Sequence, residues 1–487
     1  MVPRLCAAKR SALWLAGGLV VPVGIGLFVF LASSRPTSIG EVDSSLSQGQ
    51  ELRRGSNGSG AYYLNANKTG IFYIDNNLMY YLDYASEETY VLCDRADCKH
   101  NDADCGAYLE GGFGFCAVDE QLYAFVTDQE KNSYNLIRMD RNGQNRRVVC
   151  SISCGEETVG NYVLNDFQSS DIYYGYGRAY ITLTYRIVKP PTAVSQNGLC
   201  KKQVCVIDLA TGKMETLFEA EGVDLFLDVE IQAIAEECMV ITMSQDADGL
   251  VAETYDEALS SGLSDELVEM LEALPPDQRL ELWENDLYSF YLGYAIYQMD
   301  QCQFSAYLYD FSTDQITQIW DEACGWHYSD TGLPDAWVDP FYCAGWFEGD
   351  LLLCFCRYEA GSEPQTTVRR YDLQSGELYQ VVDLSAGSLV MYAFGTVDNY
   401  VVDDGKLIYI RYLPDGNNGQ LCSYDLKDNT ETTLYEDVRT VTFRFLGEYQ
   451  DNFIGDMMVN SRHGVYRISK ADYYAGHLEQ AKLLLSV

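Results

Sequence analysis

The sequence predicts an all-β fold, a β-propeller of about seven blades, with a short helical insertion and an N-terminal transmembrane helix. Three observations predict it. A strand–turn–strand unit recurs along most of the 487 residues, strands do not alternate with long helices, and one long uncharged stretch opens the chain. Recurring hairpins with no βα alternation fit a radial array of sheets and not a doubly wound sheet.

At the amino terminus, residues 1–10 carry Arg4, Lys9 and Arg10 and no acid, and read as a cytoplasmic basic tail. Residues 11–32 read as a transmembrane signal anchor, since Ala12 to Ala32 hold no charge. At about 1.5 Å per residue such a helix crosses a hydrocarbon core about 30 Å thick. The basic flank keeps the amino terminus inside and places the bulk of the chain outside a cell membrane crossed once. The alternative is a signal peptide cut near Ala32-Ser33-Ser34, which would secrete the remainder. Residues 33–60, rich in Ser and Gly, read as a flexible linker, and 61–487 as the extracellular propeller.

Six segments share an aromatic or aliphatic strand, an Asp-led polar turn and a second strand: 80–92, 136–149, 205–217, 307–319, 370–382 and 422–434. Their central acids are Asp83, Asp140, Asp208, Asp310, Asp372 and Asp425. β-branched and aromatic residues around turns that tolerate positive φ are hairpin signals. Spacings of roughly 45 to 70 residues, with one longer gap, suit four-stranded blades. A degenerate seventh, 465–484, ends the chain, and inner pairs such as 70–82, 115–126, 346–356 and 400–412 precede several of the hairpins. Closure of the ring is expected to pair segment 60–66 with the last blade.

The segment LIRMDRNGQNRRVV (136–149) resembles the TolB-type propeller repeat, in which a strand ends in an Asp-x-Asn/Asp-Gly turn followed by Asn-x-Arg and a second strand. The external region as a whole resembles the TolB-like β-propeller proteins exported by Gram-positive anaerobes. The resemblance implies fold and compartment, and transfers no catalytic residue because it covers a structural turn.

The long gap holds a helical insertion, about 253–286. Ser264 is placed as an N-cap with Asp265 and Glu266 in the first turn. Leu267, Met270, Leu271 and Leu274 then fall on one helical face before Pro275-Pro276. Such an element either packs against the propeller or acts as a lid or docking surface.

The formal charge is −39, and beyond residue 32 the chain holds 72 acids against 30 bases. Such a surface repels phosphate backbones and excludes nucleic acid as a partner. Fifteen of the sixteen cysteines follow the anchor, where disulfides usually form; Cys200 and Cys205 are expected to bracket a turn. The densest cluster is Cys93, Cys98, His100 and Cys105, three thiols and an imidazole within thirteen residues. Such a set suits a structural Zn²⁺. The alternative is a disulfide-stapled loop joining Cys93 or Cys98 to Cys105 or Cys116. The family resemblance implies that the cluster is a family feature, since a similar Cys-x4-Cys-x-His follows that family's first blade.

No Gly-x-Ser-x-Gly elbow, His-Glu-x-x-His helix or phosphate-binding glycine loop occurs. The sequence therefore reads as a membrane-anchored extracellular module that binds or scaffolds a protein, peptide or glycan, with no catalytic residue assigned. The alternative is an extracellular hydrolase using channel-facing carboxylates.

Overall fold

A computed structural model of the chain describes most of residues 64–486, together with Thr37–Ser38 and Arg53–Arg54. The longer stretches outside that description are 1–36, 39–52, 55–63, 154–161, 188–198, 247–271, 279–301, 390–400 and 413–418. The expected anchor therefore lies outside the described residues, and among those described no helix is long and apolar enough to cross a membrane. Most of the 253–286 insertion also lies outside them. Of it, 272–276 and Gln278 are described, with Glu272, Pro276 and Gln278 helical.

The strands form seven blades, each an antiparallel set of consecutive segments. Blade 1 comprises Asn65–Ala66, Gly70–Asp75, Leu78–Asp83 and Thr89–Val91. Blade 2 comprises Gly112–Val118, Gln121–Asp128, Ser133–Asp140 and Arg147–Ser153. Blade 3 runs from Tyr162–Gly175 to Met214–Val223, and blade 4 from Asp228–Ile234 to Gln315–Tyr328. Blade 5 runs from Tyr342–Phe347 to Leu378–Asp383, and blade 6 from Ser388–Leu389 to Thr430–Tyr435. Blade 7 comprises Phe443–Tyr449, Asn452–Val459, Arg462–Ser469 and Lys482–Ser486. Blades 4 and 5 share one continuous sheet, because Pro334–Val338 pairs with Gln315–Tyr328 on one side and Asp350–Glu359 on the other.

The six Asp-led repeats are the outer hairpins of blades 1 to 6, and the degenerate seventh is that of blade 7, where the helix Lys470–Tyr474 fills the turn. In blade 1 the inner pair and the outer hairpin share the strand Leu78–Asp83, and Asn65–Ala66 supplies the fourth strand.

Strand alternation explains why the blades stand radially. On Gln121–Asp128, Leu122 and Ala124 face blade 1, whereas Tyr123 and Phe125 face blade 3. A period of two sends successive side chains to opposite faces. Both faces are apolar, so each blade must be covered twice. Among the described residues, an apolar cluster fills each of the seven junctions between neighbouring blades. First strands of several neighbouring blades approach one another, Asp228–Ile234 meeting Tyr342–Phe347, and so converge on the axis.

Ring closure differs from the expectation. Asn65 and Ala66 pair with Phe72 and Ile71 of their own blade, and the described strands of the last blade all fall within residues 443–486. Residues 60–63 lie outside the described residues. The closing junction is held by side chains instead. Ile71, Leu82 and Tyr84 pack on Ile454 and Val465, and Tyr84 stacks at a tilt on Tyr449. Glu87 meets both Arg467 and Lys482.

Cys200 and Cys205 are a second correction. Both lie on the strand Leu199–Asp208, five residues apart, and so on opposite faces. Cys200 enters the junction of blades 3 and 4 and Cys205 that of blades 2 and 3.

Candidate metal centre

The loop joining blade 1 to blade 2 starts as Leu92 N–H donates to Met79 carbonyl (2.9 Å). It returns as Met79 N–H donates to Ala107 carbonyl (2.9 Å) and Leu109 N–H to Asn77 carbonyl (2.6 Å). Its two ends are thus sewn to one short stretch of blade 1. Leu92, Cys93, Cys105, Ala107 and Leu109 join the apolar core between blades 1 and 2. This folds the thirteen residues from 93 to 105 back on themselves.

One ligand atom from each of Cys93, Cys98, His100 and Cys105 lies within 4.8 Å of all the others. Among the described residues no other group of three or more His, Cys, Asp or Glu converges so. Cys93 and Cys105 are buried, Cys98 and His100 half-buried, and the thiols of Cys93, Cys98 and Cys105 are free. The structure therefore brings together all four residues singled out from the sequence. It does not bring Cys116 to them, since that side chain packs between blades 2 and 3.

Two backbone donors serve the sulfurs. The N–H of Ala107 donates to Cys105 Sγ (3.3 Å), and the N–H of His100 donates to Cys98 Sγ. In each case the donor lies two residues beyond the thiol, an arrangement that favours thiolate. His100 takes a left-handed backbone (φ +54°), uncommon for a residue with a side chain. That turn presents its N–H to Cys98 while Nδ1 lies 3.4 Å from Cys105 Sγ.

Burial opposes ionisation of Cys98. The N–H of His100, the thiols of Cys105 and Cys93 and the charge of Arg95 outweigh it and hold Cys98 below its ordinary value. Burial pushes the Cys105 thiol up to about 12, against the Ala107 N–H. Cys98 accordingly ionises before Cys105, and a bound cation would favour thiolate throughout the set. A tetrahedral ion about 2.3 Å from sulfur sets ligand atoms roughly 3.5–3.8 Å apart. The present set needs side-chain movements of only about 1 Å to reach that. The four residues therefore fit a metal, and they would fill a tetrahedral shell.

Sequence reasoning missed the residues that brace the loop. Arg146 Nη2 donates to the carbonyls of Gly106 (2.8 Å) and Tyr108 (2.6 Å). Asp94 accepts from Asn142 Nδ2 (2.8 Å) and Gln144 Nε2 (3.3 Å). Gly143 (φ +73°) approaches so closely that a Cβ there would stand 1.8 Å from the Gly106 carbonyl oxygen. Nothing in the spacing marks these hydrogen bonds, which join residues 38 to 50 apart.

Elsewhere the turn acids are occupied. The Asp208 carboxylate accepts from the N–H groups of Ala210 and Thr211, and Asp310 and Asp425 repeat the pattern. These acids act as turn residues, with backbone donors where a cation would otherwise sit. His463 Nε2 lies 2.8 Å from buried Asp456, far from the cluster in sequence and in blade 7.

No family model matches the chain, and no curated protein matches it. Among solved structures it is similar to an oligogalacturonate lyase in complex with manganese, at 11% identity and a TM-score of 0.38, covering 86% of this chain and 91% of that one. The β-propeller domain of the Trilobed protease from Pyrococcus furiosus is similar at 9% identity and a TM-score of 0.39, covering 89% and 98%. An oligogalacturonate lyase from Vibrio parahaemolyticus stands at 9% and 0.38, covering 88% and 93%.

Proposed function

We propose that the chain is a TolB-like, membrane-anchored extracellular propeller that binds or scaffolds a protein, peptide or glycan, with a structural Zn²⁺ in the Cys93, Cys98, His100 and Cys105 cluster. The observation that carries this reading is the closed ligand set. Three thiolates and one imidazole fill a tetrahedral shell and leave no position for water or substrate, as in structural zinc sites. Zinc suits such sulfur-rich sets, whereas oxygen ligands suit calcium, magnesium and manganese. The uncharged stretch at residues 12–32 and its basic flank support the anchor. The acidic balance beyond it supports an extracellular partner other than nucleic acid.

Metal analysis of the full chain purified from membranes is the direct test. We expect about one zinc per chain, lost in Cys98→Ser. Absence of metal, with Cys93, Cys98 and Cys105 found in disulfides by mass spectrometry, would establish the stapled loop and overturn the zinc reading. Screening against peptides and glycans tests the rest: saturable binding without turnover is expected, and catalytic turnover of any of them would replace the binding reading.

A further inference from the structure

The position of the cluster within its loop suggests more than local stability. Each end of the loop sets a ligand next to a contact with blade 2. Cys93 is followed by Asp94, which accepts from Asn142 and Gln144, and Cys105 by Gly106, whose carbonyl accepts from Arg146. No strand pairing joins the loop to blade 2. Among the described residues, these side-chain bonds and the backbone approach of Gly106 and Gly143 link the loop to the blade 2 hairpin at the rim, above the apolar packing on Ile137 and Met139.

We infer that the cluster is a metal-dependent clasp between blades 1 and 2, with Asp94 and Arg146 as the positioning residues that carry its state to the second blade. This rests on the metal reading above. With the ion bound, Cys93 and Cys105 are fixed to each other, and the acceptors on Asp94 and Gly106 are held at the spacing that Asn142, Gln144 and Arg146 require. Without it, the residues between regain backbone freedom, each a substantial entropy gain that opposes the ordered geometry. The Gly106 carbonyl that Arg146 meets then loses the restraint that an ion on the neighbouring Cys105 would supply, while Tyr108 stays tied to blade 1. The apolar core beneath, with Met79, Leu92 and Leu109, is independent of the ion and keeps the blades together. The clasp thus governs the rim of this junction and leaves its core in place.

The test is hydrogen exchange by mass spectrometry on the full chain in detergent, zinc-loaded and chelated. Chelation is expected to speed exchange in residues 138–149 by about tenfold or more, alongside the loop itself, while blades 3 to 7 stay unchanged. Arg146→Gln is expected to keep about one zinc per chain yet exchange quickly in 138–149 even when loaded, which a purely local site would not produce. Loaded Asp94→Asn should show a smaller effect of the same kind. Faster exchange confined to 93–107 on chelation would overturn the clasp and leave the metal site standing. Failure of the wild type to bind zinc would overturn both.

Discussion

At the scale of single residues, two glycines of similar backbone separate conformational cost from collision. Gly143 and Gly177 have φ of +73° and +71°, but a Cβ on Gly177 meets nothing within 4 Å. Gly177→Ala should cost about 1 kcal/mol, the penalty of a left-handed backbone. Gly143→Ala adds a clash with the Gly106 carbonyl and should cost about 2–3 kcal/mol or more. Comparing their denaturant midpoints checks this, and equal losses would mean that the loop yields without cost. Residue types were only partly legible in the sequence. Cys93, Cys98, His100 and Cys105 are close along the chain, so their convergence could be read from spacing. Asp94 and Arg146 meet blade 2 and the loop only through the fold, and nothing local announces them. Cys200 and Cys205 misled because the chain passes straight through them as a strand, and strand parity then sends them to different junctions.

At the scale of elements, the outer hairpins were legible because their turns carry their own chemistry. Asp208 is held below the usual carboxylate range by the Thr211 hydroxyl and N–H, Asp310 by Ser312, and Asp425 by Lys406 and its turn amides. A carboxylate whose folded pKa is lowered contributes stability that is present above its unfolded value, about 4, and lost as pH falls through the folded value. Stability should therefore decline with acid below about pH 4 through these turns. Asp208→Asn keeps an acceptor but cannot titrate, so its curve should be flatter there than the wild type's. A denaturation series from neutral pH into that range, run in parallel because acid also displaces metal, distinguishes the two. Blade 1 was less legible, since its strand Leu78–Asp83 belongs to both hairpin signals and its fourth strand is only two residues long.

For the whole molecule, the sequence announced the number of units and not the way the ring closes. The recurring Asp-led hairpins count blades, but the partner of the last blade is a matter of long-range packing. Closure rests on the apolar junction of Ile71, Leu82, Tyr84, Ile454 and Val465, with Glu87 between Arg467 and Lys482 at its edge. Ile454 is fully buried, and Ile454→Ala should cost about 2–4 kcal/mol. Glu87→Gln should cost about 1 kcal/mol, and raised salt should erase most of that difference. If the charge variant proved the more damaging of the two in high salt, the ion pairs and not the apolar contact would close the ring.

A ring whose end sheets, among the described residues, exchange no strand can be assembled in the order in which it is made. The pieces added to blades from outside their own run, Thr37–Ser38 on blade 1 and Arg53–Arg54 on blade 3, both lie upstream of the blade they join. The strands paired in blade 1 have therefore all been synthesised by the time Thr89–Val91 emerges, and most ladders join strands that are consecutive in the chain. A chain delivered amino end first, through a ribosome tunnel or a translocation pore, can lay down one sheet after another and leave only side-chain docking for last. The last blade then closes the ring on blade 1 by the fit of their side chains.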